Sequence, residues 1–239
     1  FVQSYALARA VDAREVASIA RSMQGWVNAN LGRYDLALAQ TRESLALIRD
    51  GGFCESAGLA YANLALIAMN RGTLDEAAAH IDKGCAVVRQ IGHKEGECMM
   101  LNSLARMALE NNDCLEAERV AREGIQRCDA LGYWELMPSL MATLGEALNT
   151  QGKYEDADGF LMTSLMLAHS MRRPWLQAYG NNVAGECMLQ REDLAGAHEA
   201  FEEALRQAGP LGAEPYSALA LFGLARIAAG PKRRTPGRV

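Results

Sequence analysis

The sequence repeats itself with a period of 40 residues, and that period restricts the fold more than any other feature. Ala37, Ala77, Ala117, Ala157 and Ala197 form one column at this spacing. Alanine supplies 41 of the 239 residues, so one column proves little and the period rests on several columns agreeing. Gly25, Ala65, Ala105, Gly145, Gly185 and Ala225 form a second column in which every member is small. Tyr34, Leu74, Cys114, Tyr154 and Leu194 form a third, mostly large and apolar. Gly32, Gly72 and Gly152 recur in a fourth, where Asn112 is a tolerable replacement in left-handed backbone and Glu192 is the exception. Gly52, Gly92, Gly132 and Gly212 form a fifth, broken only by Arg172.

Each period reads as two helices. Glu55 to Asn70 carries Leu59, Leu64, Ile67 and Ala68 at helical spacing and meets a break at Arg71-Gly72, which ends helix A of the second repeat. Thr73-Leu74-Asp75-Glu76 has the form of a capping box, so helix B is predicted to begin at about Leu74, with the hydroxyl and carboxylate satisfying backbone donors. It runs to about Ile91 and stops at Gly92. Pro174 falls just inside the start of helix A in the fifth repeat, where a missing N–H costs nothing. The small columns let backbones approach, with Leu144, Leu161 and Leu165 filling the seams around Gly145 and Ala157.

Composition agrees with an all-α chain. Half of the residues are hydrophobic but only 6% are aromatic, which favours close-packed helices over a sheet built on bulky side chains. No run approaches the roughly 18 apolar residues of a membrane span, and no basic region followed by an apolar segment opens the chain, so a soluble protein without a secretory signal is expected. The six cysteines show no Cys-x-x-Cys pair and no shared spacing, which indicates neither zinc nor a disulfide framework and suits reduced thiols in a cytoplasm. The net charge of −5 is spread along the chain and leaves no footprint for nucleic acid.

The chain resembles tetratricopeptide repeat proteins. Tyr61, Leu64-Ala65, Gly72, Leu74, Ala77 and Ile81 follow that family's pattern, as do Met141, Leu144-Gly145, Gly152, Tyr154, Ala157 and Leu161. The first repeat is weaker, with Gln24 and Thr41 at apolar positions, and Asn181 and Ala184 depart in the fifth. The resemblance implies an α-solenoid, a right-handed superhelix of about 12 antiparallel helices. A single array is expected over 1–230: a half repeat at 1–13, full repeats at 14–53, 54–93, 94–133, 134–173 and 174–213, and a half repeat at 214–230. Both ends lack a polar cap, so further repeats in a longer parent, or end-to-end pairing between molecules, are expected. The segment 231–239, rich in proline and cations, reads as a solvated linker, with nucleic-acid contact as the alternative.

The same resemblance implies that a protein or peptide is held in a concave groove lined by helix A. By position, the partner-binding residues are Asn63, Leu66 and Asn70 in the second repeat, and Met99, Asn102 and Arg106 in the third. The fourth repeat offers Thr143, Glu146 and Asn149, and the fifth Tyr179, Asn182 and Glu186. Asn63, Asn102 and Asn182 are candidates for clamping an extended backbone, and Arg106 with Glu146 and Glu186 for orienting a charged ligand. Each is equally readable as a polar residue on a solvated face. No catalytic residue, cofactor or metal site is expected: the four histidines are dispersed, and no nucleophile, base and orienting group occur together. Trp134 and Trp175 are expected to pack the seam between repeats in preference to stacking on a ligand. Repeats of this longer kind resemble those of bacterial signal-transduction ATPases and maltose-activator-type transcriptional regulators, and also those of polarity scaffolds and kinesin light chains; 20 arginines against 4 lysines suit a GC-rich bacterial gene and favour the bacterial regulators. The expected function is therefore the non-catalytic sensor or partner-binding segment of such a regulator, with a free-standing adaptor, scaffold or co-chaperone as the alternative.

Overall fold

A computed structural model describes residues 1–48 and 55–229; Gly52 and the basic segment 231–239 lie outside the described residues. Among the described residues there are twelve α-helices and no strand. They are α1 (Val2–Ala10), α2 (Arg14–Asn30), α3 (Tyr34–Ile48), α4 (Glu55–Asn70), α5 (Leu74–Ile91) and α6 (Lys94–Glu110). The others are α7 (Cys114–Leu131), α8 (Met137–Thr150), α9 (Tyr154–Ser170), α10 (Pro174–Gln190), α11 (Leu194–Ala208) and α12 (Glu214–Ala228). The predicted bounds of α4 and α5, and the start of α10 at Pro174, coincide with those observed. Even-numbered helices occupy the helix A positions and odd-numbered ones the helix B positions.

Ten described residues have positive φ, and they fall in one series: Asp12, Gly32, Gly72, Gly92, Asn112, Gly132, Gly152, Arg172, Glu192 and Gly212. Every member is 20 or 40 residues from the next, so a left-handed residue follows each described helix except α3, whose end lies outside the described residues, and α12. The hydrogen bonds repeat as well: Gly32 N–H donates to Ala29 O at 3.1 Å and Arg33 N–H to Asn28 O at 2.9 Å, the pairing that satisfies the last carbonyls of a helix. Glu192 N–H donates to Leu189 O at 3.2 Å and Asp193 N–H to Met188 O at 3.0 Å in the same way. Arg172 and Glu192, which interrupt the glycine columns in sequence, therefore do not interrupt the turn; they adopt φ of 52° and 64° against the preference of a residue with a Cβ.

The starts of the B helices differ from expectation at Thr73. Its hydroxyl accepts no backbone N–H; it donates to Ala68 O at 3.2 Å, in the preceding helix, and to the Glu76 carboxylate at 3.2 Å, so no capping box forms. At the equivalent positions Asp113 and Asp193 do cap, accepting from Glu116 N–H and Gly196 N–H at 3.0 Å each.

The described residues fall into two compact units, 1–164 and 165–229. In the first, α2 pairs with α3, α4 with α5 and α6 with α7 as hairpins, while α2, α4, α6 and α8 also touch one another in order. The core at the α6–α8 level is Ala105, Val120, Ala121, Leu144, Leu148 and Ala157, each nearly or fully buried. Gly145 shows why the small column exists: a Cβ there would lie 2.7 Å from Leu161 Cγ and 3.2 Å from Ala157 O. In the second unit α10 pairs with α11 and α12 closes on both, around Ala197, Phe201, Ala204 and Ala220.

Among the described residues the first repeat buries more polar groups than any later repeat. Ser18 Oγ lies 2.9 Å from Ser44 Oγ and 2.9 Å from Ser56 Oγ, and Ser22 Oγ lies 2.7 Å from Ser44 Oγ, which ties α2, α3 and α4 together. Gln24, buried, accepts from Arg21 at 2.7 Å and donates to Phe1 O at 3.1 Å, while Asn28 donates to Gln40 at 2.8 Å. Thr41 donates to Ala37 O at 2.8 Å. These side chains satisfy one another, which is the condition for burying polar groups without a large penalty. The weak match of this repeat to its neighbours is a substitution of one kind of seam for another.

Two pairs of changes test this architecture. Gly145→Val forces Leu161 and the Ala157 carbonyl aside and should destabilise the protein by about 2–3 kcal/mol, whereas Gly159→Ala, on a helix surface with nothing within 4 Å, should stabilise it by about 0.5–1 kcal/mol. Urea titration of both variants reads the difference. Glu192→Gly relieves a left-handed residue that carries a Cβ and should gain about 0.5–1 kcal/mol after the extra unfolded-state entropy of glycine is subtracted. The same change at Glu199, within helix α11, should lose stability instead.

Candidate partner-binding site

Within unit 1–164 the helices α4, α6 and α8, which touch one another in order, carry the sequence-predicted residues of the second, third and fourth repeats. Within that set, burial separates two groups. Leu66, Met99, Asn102, Arg106 and Glu146 are half-buried and Asn70 is exposed. Asn63, Thr143 and Asn149 are buried, at 1%, 0% and 3% exposure.

Asn63 is buried because it serves the fold. Its Nδ2 donates to Ser22 O at 2.8 Å, from α4 into the middle of α2. In unit 165–229 Asn182 does the same, its Nδ2 donating to Tyr216 O at 2.9 Å, from α10 to the first turn of α12. Both asparagines do clamp a backbone, as their type and position imply, but it is the backbone of the neighbouring helix A. Thr143 turns inward, its hydroxyl donating to Ser139 O at 3.0 Å one turn earlier. All three side chains are buried and bonded to backbone carbonyls of the protein itself.

Asn102 differs in exposure: it stands two repeats before Asn182 and is half-buried where Asn182 is buried, and the Oδ1 of each is enclosed without a hydrogen-bond partner. A buried acceptor in that condition costs about 1–3 kcal/mol. It is flanked on α6 by Met99 and Arg106, one turn away on either side. Beyond it, Glu146 extends the partly open surface on α8.

In unit 165–229, Tyr179 and Glu186 are half-buried. The Tyr179 ring meets Tyr216 edge-on, with centroids 6.4 Å apart at 63°. Glu186 is held by Arg226, whose Nη1 lies 2.8 Å and 2.6 Å from its two oxygens, and the guanidinium also covers Phe222 at 5.7 Å. Arg226 was absent from the sequence-predicted set although it follows Glu186 by one period; extending that column would have found it.

The remaining candidates are structural. Trp134 is 49% exposed in a short 3-10 turn ahead of α8, not packed in a seam as expected, while Trp175 is half-buried in the first turn of α10. His80 lies beside Tyr61, ring centroids 6.4 Å apart, with Nδ1 enclosed and Nε2 3.7 Å from Glu76; burial lowers its pKa against the pull of that carboxylate. Among the described residues no group of three or more His, Cys, Asp or Glu side chains is placed to share a metal ion. No helix among them is long and apolar enough to cross a membrane. A cavity of about 60 Å³ between α5, α6 and α7, lined by Cys85, Arg89, Met100, Leu104, Glu123 and Arg127, holds a few waters and no more.

No protein-family model matches the chain. Over 113 residues, 46% of its length, it is 32% identical to tetratricopeptide repeat protein 19, mitochondrial, of Rattus norvegicus, and over the same length 30% identical to the Mus musculus protein of that name. The match covers 30% of each of those relatives, so the chain spans about a third of their length. A solved structure, the signal transduction ATPase with numerous domains with a tetratricopeptide repeat sensor from Pyrococcus horikoshii, superposes with a TM-score of 0.60 at 16% identity, over 93% of this chain and 33% of that one. At that identity the likeness is one of fold. It joins the 40-residue period, the helix pairs and the small-residue columns in one conclusion: the chain has a tetratricopeptide-like fold, an all-α helical repeat of the solenoid class.

Proposed function

We propose that the segment is the sensor or partner-binding part of a larger bacterial signalling or transcriptional regulator, working in the cytoplasm and taking a protein or peptide along the open face of its A helices. It binds without catalysing, needs no cofactor, and makes no direct contact with nucleic acid. The observation that carries the reading is Asn102, whose Oδ1 has no partner while its side chain is half-open beside Met99 and Arg106. A modest rotation of the amide brings that acceptor to an incoming backbone N–H, which recovers the cost of leaving it unpaired. Met99 and Leu66 supply adaptable apolar contact, and Arg106 and Glu146 supply charges of both signs for selectivity. The solved regulator that shares the fold carries its repeats as a sensor, which supports placing this segment in the same kind of assembly.

The experiment is affinity capture on the immobilised protein from the source cell, peptide mapping of what binds, and titration of the mapped peptide against variants. Asn102→Ala should weaken the peptide by about 5–10-fold, the worth of one hydrogen bond, with the melting midpoint unchanged. Asn63→Ala and Asn182→Ala should instead lower stability by about 1–2 kcal/mol through their bonds to Ser22 O and Tyr216 O. An undiminished affinity in Asn102→Ala would remove the site from this face, and turnover of a substrate by the segment would remove the binding-only reading.

Self-association end to end is part of the same proposal. Val2, Leu7 and Val11 are 74%, 69% and 75% exposed at one end, and Leu219, Leu221 and Phe222 are 55%, 57% and 64% exposed on α12, more apolar surface than a solitary face usually carries. Light scattering should show a mass that grows with concentration, and Phe222→Glu should abolish the growth; a monomer at high concentration rules the pairing out.

A further inference from the structure

Two cysteines face each other in the α6–α7 hairpin. Cys98 lies in the second turn of α6 and Cys128 in the last turn of α7, and both are 0% exposed. The repeat supplies an independent measure of how close these two positions come. One period earlier they are occupied by Gly58 and Val88, and a Cβ on Gly58 would lie 2.7 Å from Val88 Cγ1. The Val88 Cβ is at most one C–C bond further, so the two Cβ positions stand within about 4.2 Å, inside the range of about 3.5–4.5 Å that a disulfide bridges. The location is also particular. Asn112 makes the tight turn at one end of this hairpin, while Cys98 and Cys128 sit at the opposite end, where no peptide connects the two helices.

We propose that Cys98 and Cys128 are a modification site: they form a reversible disulfide that closes the open end of the α6–α7 hairpin, with a small disulfide such as oxidised glutathione as the co-reactant. One cysteine thiolate attacks the glutathione disulfide, forming a mixed disulfide and releasing one glutathione thiolate. The second cysteine thiolate attacks the protein sulfur of that mixed disulfide and releases the other. The protein loses two electrons and two protons, and the two glutathione molecules leave as thiols.

The surroundings set the rate. Burial pushes the Cys128 thiol up to about 12 and raises that of Cys98, on which the charges of Glu95 and Glu97 act in the same sense and Arg127 acts against. Tyr133 beside them is also pushed up to about 12, by burial first. Both thiols therefore stay protonated in the closed hairpin, and exchange waits for the last turn of α7 to open. The pair responds to sustained oxidation and ignores brief exposure. Met99 and Asn102 follow Cys98 directly on α6, so the bridge fixes the helix that presents them. The inference does not depend on what those residues bind.

The test uses the whole chain, purified reduced and incubated with oxidised glutathione, then denatured, alkylated and mapped without reduction. The expected result is a peptide pair linked through Cys98 and Cys128, two fewer alkylated thiols, unchanged helicity, and a melting midpoint raised by about 5–10 °C that dithiothreitol reverses. Cys98→Ala and Cys128→Ala should each abolish the link; both fold, because Ala178 and Ala208 stand at the same repeat positions and are fully buried there. Two thiols still alkylated after Cys114 has reacted would overturn the proposal. So would a lasting glutathione adduct on either cysteine, a link to any other cysteine, or a linked protein that melts lower.

Discussion

Everything in this structure depends on the left-handed residue that recurs at 20-residue intervals. A helix of 15 to 18 residues needs its last carbonyls satisfied before the chain can reverse, and the turn seen at Gly32, Gly72, Gly92 and their counterparts does this with two backbone hydrogen bonds and no side chain. Because the turn is the same each time, the helix that follows leaves in the same direction each time. The small residues at Gly145, Ala65 and Ala105 then decide how closely consecutive helices settle. Periodicity in sequence is the outcome of that alternation of turn and close approach.

Much of this was legible in the sequence, and the reasons for the remainder are specific. The bounds of α4 and α5 follow from apolar spacing interrupted by Arg71-Gly72 and Gly92, local features that need no tertiary information. Arg172 and Glu192 looked like breaks because residue type was read in place of position; the backbone holds the turn there, since the helices on both sides are already fixed by packing. The Thr73 box failed because a hydroxyl can donate as well as accept, and Ala68 O lies within its reach.

The site was less legible than the fold. A helix A presents its polar residues partly to solvent and partly to the next helix A, and the two directions differ by a single position on the helical wheel. Asn63 stands one register position beyond Asn102 and Asn182 and is buried, while Asn102 and Asn182 share a position two repeats apart and still differ, Asn182 buried and Asn102 half-open. Sequence alone cannot place the line, because it depends on the angle between adjacent helices. Arg226 was visible in principle, one period after Glu186.

The serine seam of the first repeat has a consequence for how such an array can change over time. Repeats with apolar seams are interchangeable: a copied or deleted unit meets neighbours that present the same kind of surface. Ser18, Ser22, Ser44 and Ser56 instead match one another hydroxyl to hydroxyl, and an Ile or Val opposite them would remove those bonds, leaving Ser18 and Ser44 only the backbone carbonyls they also reach. Recombination that shuffles the later units brings like surfaces together, while recombination through α2 to α4 separates hydroxyls that match. The first repeat is thus tied to its own neighbours more closely than the later units are to theirs.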